Sequence, residues 1–190
     1  MFERFTEDAR SVLTDAAAHA GQAGERVVDD GDVLLAVLLR TDGRAAAVLD
    51  ELGAGERRTE IRQGLAETRR RAGLTRADAE ALAGLGIDLG EIVSRVEEVH
   101  GEGALAVRGR RTRSPRLTPA AKQVLERALR IAAGHRDRFI GDQHLLLALL
   151  SAPGAPADAL AEQGVTYEAA HRLLYPDADG EGDGGVARAS

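Results

Sequence analysis

The sequence has 190 residues and no cysteine, which excludes a disulfide scaffold, a thiolate zinc site, an iron–sulfur cluster and a cysteine nucleophile. A net charge of -6, 3% aromatic residues and no tryptophan speak against polyanion binding by the whole molecule and against stacking platforms for single strands. No run of 18 apolar residues occurs, and the opening MFERFTEDAR is charged where a secretory leader is greasy, so the expectation is a soluble, cytoplasmic chain.

The apolar fraction is 44%, carried mostly by Ala, Leu and Val, with only five prolines and no alternating apolar–polar stretch. That predicts an all-α fold. In chain order, Thr6 is the N-cap of a first helix whose apolar residues recur at 9, 12, 13, 16 and 20. Asp30 is expected to cap a second helix, Val33 to Leu38, that is apolar nearly all round and therefore central. A short helix follows and stops at Gly53, then a fourth near 56–70. Residues 72–101 read as an inserted helical pair, with capping-box patterns at Thr75/Asp78 and Asp88/Glu91. An Arg-rich linker, 102–116, carries five arginines from Arg108 to Arg116. The first pattern then returns: Thr118 with Pro119 at N1, apolar residues at 121, 124, 125, 128 and 132, Asp142 as the expected cap of Leu145 to Leu150, a stop at Gly164 and a last helix over 166–174. The Gly- and Asp-rich tail, 176–190, is expected to be disordered.

The return is a repeat. Residues 5–38 align without gaps to 117–150 with twelve identities in 34 pairs, where a composition this biased gives roughly three or four by chance. The expected architecture is two pseudo-twofold-related four-helix units, 1–71 and 117–175, with the helical pair inserted between them and a shared core.

This arrangement resembles the Clp-N (Clp repeat) family, the amino-terminal domain of Clp-type AAA+ unfoldases. The opening MFERFTEDAR looks like that family's start. The family's second helix is usually introduced by Gly-Thr-Glu-His, and the matching spots read Asp29-Asp30-Gly31-Asp32 and Gly141-Asp142-Gln143-His144. The ALAGLGIDLGEIVSRVEE insertion is similar to that of a stand-alone actinobacterial branch without the ATPase. No G-x-x-x-x-G-K-[ST] phosphate loop occurs in the sequence, and Lys122, the only lysine, does not follow glycines.

The resemblance implies a recognition module that receives adaptor proteins, Clp unfoldase or protease components, or hydrophobic peptides, needs no cofactor and is not an enzyme. Some members grip phosphoarginine through the glutamate of each Gly-Thr-Glu-His. The matching positions here are Gly31, which has no side chain, and Gln143, whose amide is neutral. Each lost charge-assisted hydrogen bond costs about 1.5–3 kcal/mol, at least tenfold in affinity, so phosphoarginine binding is expected to be weak or absent. A second family surface, where the chain start meets the first helix of the second repeat, maps onto Phe2, Leu13, Leu117, Lys122 and Gln123. Leu117 stands where relatives often carry phenylalanine and Gln123 where they often carry lysine, so the patch is expected to be apolar but less aromatic and less basic.

No catalytic constellation is visible. Histidines 19, 100, 135, 144 and 171 show no H-E-x-x-H pattern, and no metal site is expected; His144 is expected to cap or pack at a helix start. The alternative function is a regulatory nucleic-acid-associated helical protein acting through the Arg-rich linker, against which the acidic net charge weighs.

Overall fold

A computed structural model describes residues 2–70, 76–85, 87–100 and 116–176. Thr75, residues 102–115 of the expected linker, and residues 177–190 of the tail lie outside the described residues. The chain start forms a 3-10 turn, Phe2–Arg4, and leads into helix α1, Glu7–Gln22. Thr6 is extended and its hydroxyl accepts the Ala9 N–H at 3.2 Å; Thr118 does the same for Ala121, at 3.2 Å, ahead of α7, Pro119–Gly134. Both helices bury a stripe of small residues: Ala9, Val12, Ala16 and Ala20 in α1, and Ala121, Val124, Ala128 and Ala132 in α7. Small side chains let the helices they pack on approach closely. Those are α2, Asp30–Leu39, against α1, and α8, Asp142–Leu150, against α7. Leu34 and Leu38 of α2 and Leu145, Leu146 and Leu147 of α8 are fully buried, each contributing about 1.5–3 kcal/mol of transfer free energy.

The caps of these two central helices fall one residue earlier than expected. Asp29, not Asp30, caps α2: its carboxylate accepts the Asp32 N–H at 2.8 Å, and Asp32 returns the bond to the Asp29 N–H at 2.9 Å. Gly141, not Asp142, sits at the cap of α8, and Asp142 turns away to serve another helix.

That other helix is α3, Arg44–Glu51, whose own cap position, Gly43, offers no side chain. Asp142 supplies the missing acceptor, taking the Ala45 N–H at 2.9 Å from 97 positions away. Gly43 has φ +98, and a Cβ there would run into the Asp142 carboxylate, so only glycine fits. The cap is one of several exchanges between the halves. Helix α3 packs on α8 and on α10, Tyr167–Leu174, while α9, Ala155–Ala161, packs on α2 and on α4, Arg58–Arg70. The short helices stop where expected, with Gly53 and Gly164 at φ +72 and +79.

Strand-like contacts, not foreseen from the sequence, repeat the exchange. The two-residue strands β1, Val27–Val28, and β2, Arg116–Leu117, pair in parallel, and Phe5 bridges Ile140 in parallel. Thr6 N–H donates to Ile140 O and Thr118 N–H to Val28 O, both at 2.9 Å. Phe5 and Leu117, Thr6 and Thr118, and Val28 and Ile140 are each equivalent in the aligned repeat, so each half lends its leading segment to the other. One buried core accordingly draws on both halves, including Phe5, Leu38, Leu49, Ile61, Leu147 and Leu160. The inserted pair, α5, Arg76–Gly84, and α6, Leu89–His100, pack on one another, and Asp88 accepts the Glu91 N–H at 3.1 Å at the start of α6.

Candidate binding surfaces

The residues assigned to a partner surface from the sequence gather in part. Leu117 immediately precedes the Thr118 cap, and Lys122 donates its backbone N–H to the Thr118 carbonyl at 3.0 Å, so Leu117, Lys122 and Gln123 share the head of α7. Lys122 and Gln123 are exposed; the Gln123 side-chain oxygen accepts from Arg127 at 3.3 Å. Leu117 is half-buried and packs against the core, as does Leu13 on α1. The Phe2 side chain lies outside the described residues. The chain start runs along Ile140, ahead of α8, whereas Leu117 runs along Val28.

The two helix-start motifs are both turned inward. Gly31 is buried in the first turn of α2. Gln143 is buried, and with its amide oriented so that donors meet acceptors, the nitrogen donates to Asp142 at 3.1 Å and the oxygen accepts from Arg44 at 3.2 Å. The guanidinium of Arg44 also donates to the Leu174 carbonyl at 3.2 Å and stands 5.9 Å over the Tyr175 ring. An internal arginine therefore already engages the one motif amide that could meet a guanidinium ligand.

His144 follows Gln143 and is fully buried. Its Nδ1 accepts the Gly141 N–H at 2.8 Å, which fixes the proton on Nε2. Nε2–H then donates to Asp137 at 2.9 Å, beside the Tyr175 hydroxyl at 2.8 Å, and that hydroxyl donates to the same Asp137 oxygen at 2.7 Å. Burial pushes His144 below its ordinary pKa, outweighing the pull of Asp137 in the other direction. Burial alone would raise Asp137, but the hydrogen bonds from Tyr175 and His144 hold it below the usual carboxylate value, and burial together with Asp137 pushes the Tyr175 phenol up. Both imidazole nitrogens are committed to internal partners, so His144 has no free ring nitrogen with which to act as a base on a substrate. Among the described residues no three His, Asp or Glu side chains could hold a metal ion.

Comparison with known proteins places this geometry. The family model for the Clp repeat (R) N-terminal domain matches residues 72–163, from the inserted pair through α9. The chain carries a Clp-N domain. A ClpA homolog from Cyanidium caldarium, an ATP-dependent Clp protease ATP-binding subunit, is 29% identical over 87% of this chain and 15% of its own length. The chloroplastic ClpA homolog of Brassica napus is 31% identical over 79% of the chain and 13% of its own length, so the chain spans about one seventh of these relatives. The fold matches the N-terminal domain of ClpD from Arabidopsis thaliana with TM-score 0.51 and 18% identity, covering 92% of this chain and 99% of that one. It matches the Hsp104 N-terminal domain from Candida albicans with TM-score 0.51 and 20% identity, covering 91% and 90%.

Within this Clp-N domain the histidine-start contact was foreseen, since His144 does cap α8, but its partners were not. Asp137 and Tyr175 lie seven and 31 positions away. One signal was available: Tyr167, His171 and Tyr175 are spaced four apart, on one helical face. Their rings form a ladder, with Tyr167 to His171 at 5.6 Å and His171 to Tyr175 at 5.4 Å between centroids. His135 stacks on Tyr175 at 3.6 Å, and its Nε2 lies 3.0 Å from that of His171. The ladder fastens α10 to the turn between α7 and α8. Among the described residues no single helix is long and apolar enough to cross a membrane.

Proposed function

We propose that this Clp-N chain is a non-enzymatic module that binds proteins or peptides in a Clp protease system, as an adaptor, a modulator or a decoy. The observation that carries the reading is the contrast between two places. The fully buried His144 spends both ring nitrogens on the Gly141 N–H and on Asp137, while the head of α7 puts Lys122 and Gln123 at the surface beside half-buried Leu117. A half-covered leucine next to polar side chains is chemistry for docking an apolar side chain, not for breaking a bond. Phe2 and Leu13 are assigned to this surface on the family resemblance alone. The family likeness supports a role among Clp components, whose ATP-binding subunits are the relatives found.

Phosphoarginine is not the ligand in this reading. Gly31 has no side chain, and Gln143 is buried against Asp142 and Arg44, so neither presents a carboxylate to a guanidinium. The test has two arms. Titration with a phosphoarginine peptide is expected to show no micromolar binding. Capture with an immobilised Clp unfoldase is expected to retain the protein if it is an adaptor, and Leu117→Asp is expected to release it. A decoy would instead share the unfoldase's peptides without binding the unfoldase, and failure of both unfoldase and peptides to bind would end the proposal.

A further inference from the structure

His135 and His171 bring the same ring nitrogen face to face: their Nε2 atoms lie 3.0 Å apart, across 36 positions of sequence. His135 is the C-cap of α7, and His171 stands in the middle of α10. A contact of that length between two imidazole nitrogens needs one proton, donated by one ring to the lone pair of the other. Neighbouring rings hold both in place. His135 is stacked on Tyr175 at 3.6 Å, and His171 stands between Tyr167 and Tyr175 in the ladder. Both histidines are half-buried, so solvent protons reach them without unfolding of the core.

From this contact we infer that the histidine pair is a proton-operated latch, which holds α10 on the turn between α7 and α8 while one proton sits between the rings and releases it when there are two. With the second proton each Nε2 carries a hydrogen, no lone pair remains to accept, and two positive rings face one another at contact distance. The surrounding charges do not offset this. From the turn, Asp137 pulls on His135 but is engaged by His144 and the Tyr175 hydroxyl, and Arg136 and Arg138 beside it are cationic. From α8, His144 acts on His135 as a like charge when protonated, and Asp142 is bonded to the Ala45 N–H. From α3, Arg44 stands over the Tyr175 ring, and Glu51 lies along Leu173 and Leu174. Glu168 and Arg172 are the charged residues of α10 itself. Burial and His171 together hold His135 below its ordinary value against the pull of Asp137, as a second proton at the contact requires. A free imidazole titrates near 6.5, so released rings take up two protons in acid while the latched pair keeps one. Acidification through 6.5 therefore favours release, by about fivefold between pH 7.5 and 5.5. Release takes the Tyr175 hydroxyl from Asp137 and uncovers Ala170 and Leu174, the buried residues of α10.

The latch does not depend on what the protein binds. The test uses the full chain and hydrogen exchange at pH 7.5 and 5.5, read as protection relative to each amide's intrinsic rate. The reporters are the amides at the end of α10, including Tyr175 N–H, which donates to the His171 carbonyl at 2.8 Å; the reference is α2, in the other half. In wild type, α10 is expected to lose about fivefold more protection than α2 on acidification. His171→Gln keeps a hydrogen-bonding side chain at the contact and removes the titrating group. It is expected to retain most of the protection of α10 at pH 7.5 and to lose the extra response to acid. His135→Phe keeps the stack on Tyr175 and is expected to lose the response too, and half-buried His171 supplies the variant that decides the question if His135→Phe folds poorly. His144 is intact in both variants, so a response in them as large as in wild type would give it to His144 and overturn the latch. Equal losses in α10 and α2 of the wild type would overturn it as well.

Discussion

His144 connects one helix cap to one carboxylate, and replacing it separates the two contributions. In His144→Ala the buried Gly141 N–H loses its acceptor, about 1–3 kcal/mol, and Asp137 loses a charge-assisted hydrogen bond, about 1.5–3 kcal/mol. The sum, about 2.5–6 kcal/mol, is a large part of the 5–15 kcal/mol that holds a typical domain folded. His144→Asn is expected to be milder by about 1–2 kcal/mol, because an amide oxygen can take the Gly141 N–H as the Asp32 carboxylate takes the Asp29 N–H at 2.9 Å in the first half. The pH dependence supplies a second signature. Folding holds His144 below the 6.5 of an unfolded histidine, so below pH 6.5 the unfolded chain takes up a proton that the folded one refuses. Stability from this group is whole above pH 6.5 and falls on acidification by about 1.4 kcal/mol per pH unit, levelling off below the folded pKa. His135, also lowered by burial and by His171, acts in the same direction, and its charge further lowers His144, so the variant keeps the part of the slope that belongs to His135. Asp137, lowered below 3.8, contributes above that value and is lost only at more acid pH. Urea unfolding followed by far-UV circular dichroism at pH 7.5 and 5.5 reads both signatures. Equal losses in the Ala and Asn variants, or a pH slope in His144→Asn as steep as in wild type, would refute the assignment of cap and proton to this side chain.

The cap exchanged between the halves makes Asp142→Ala cost about 1–3 kcal/mol, and hydrogen exchange at the Ala45 amide is expected to accelerate, while Asp142→Asn keeps most of the bond. Gly43→Ala is expected to lower the melting temperature by an amount equivalent to more than about 1 kcal/mol, because it combines φ +98 with a collision at Asp142; no loss would show that the cap is not tight. Leu34→Ala and Leu146→Ala, one in each half, are each expected to cost about 2–5 kcal/mol and to shift one common unfolding transition; two separate transitions would disprove a shared core.

Local chemistry was legible in the sequence, and contacts between distant positions were not. Thr6, Thr118, Pro119 and the stops at Gly53 and Gly164 act on neighbours within a few residues, and each sits where its type predicts. The buried stripes of α1 and α7 followed from spacing alone. The cap of α2 was misplaced by one because Asp29, Asp30 and Asp32 are alike in composition, and only the backbone decides which carboxylate faces the first free N–H groups. Asp142 looked like a cap for its own helix and is one for α3, 97 positions away, because Gly43 left an acceptor missing there. Gln143 matches the family's guanidinium-gripping position in sequence, with weak or absent binding expected, and its partners in the fold, Asp142 and Arg44, come from contacts the sequence does not display. The packing of α4 on α9 joins opposite halves, which no single stretch of sequence displays.

The two halves meet the same need with different side chains, and the difference sorts the molecule's surfaces. In the first half Asp32 bonds back to Asp29 N–H with a carboxylate oxygen and the motif ends as a reciprocal capping box. In the second half an imidazole makes the equivalent bond through Nδ1 and has a second nitrogen left over. That nitrogen needs an acceptor in a buried place, and Asp137 meets it; the carboxylate in turn draws the Tyr175 hydroxyl, and the tyrosine brings the end of α10 with it. Arg44 then closes over the Tyr175 ring from α3, adding a first-half helix to a second-half lock. Polar chemistry at this end of the molecule is thus consumed in holding elements together.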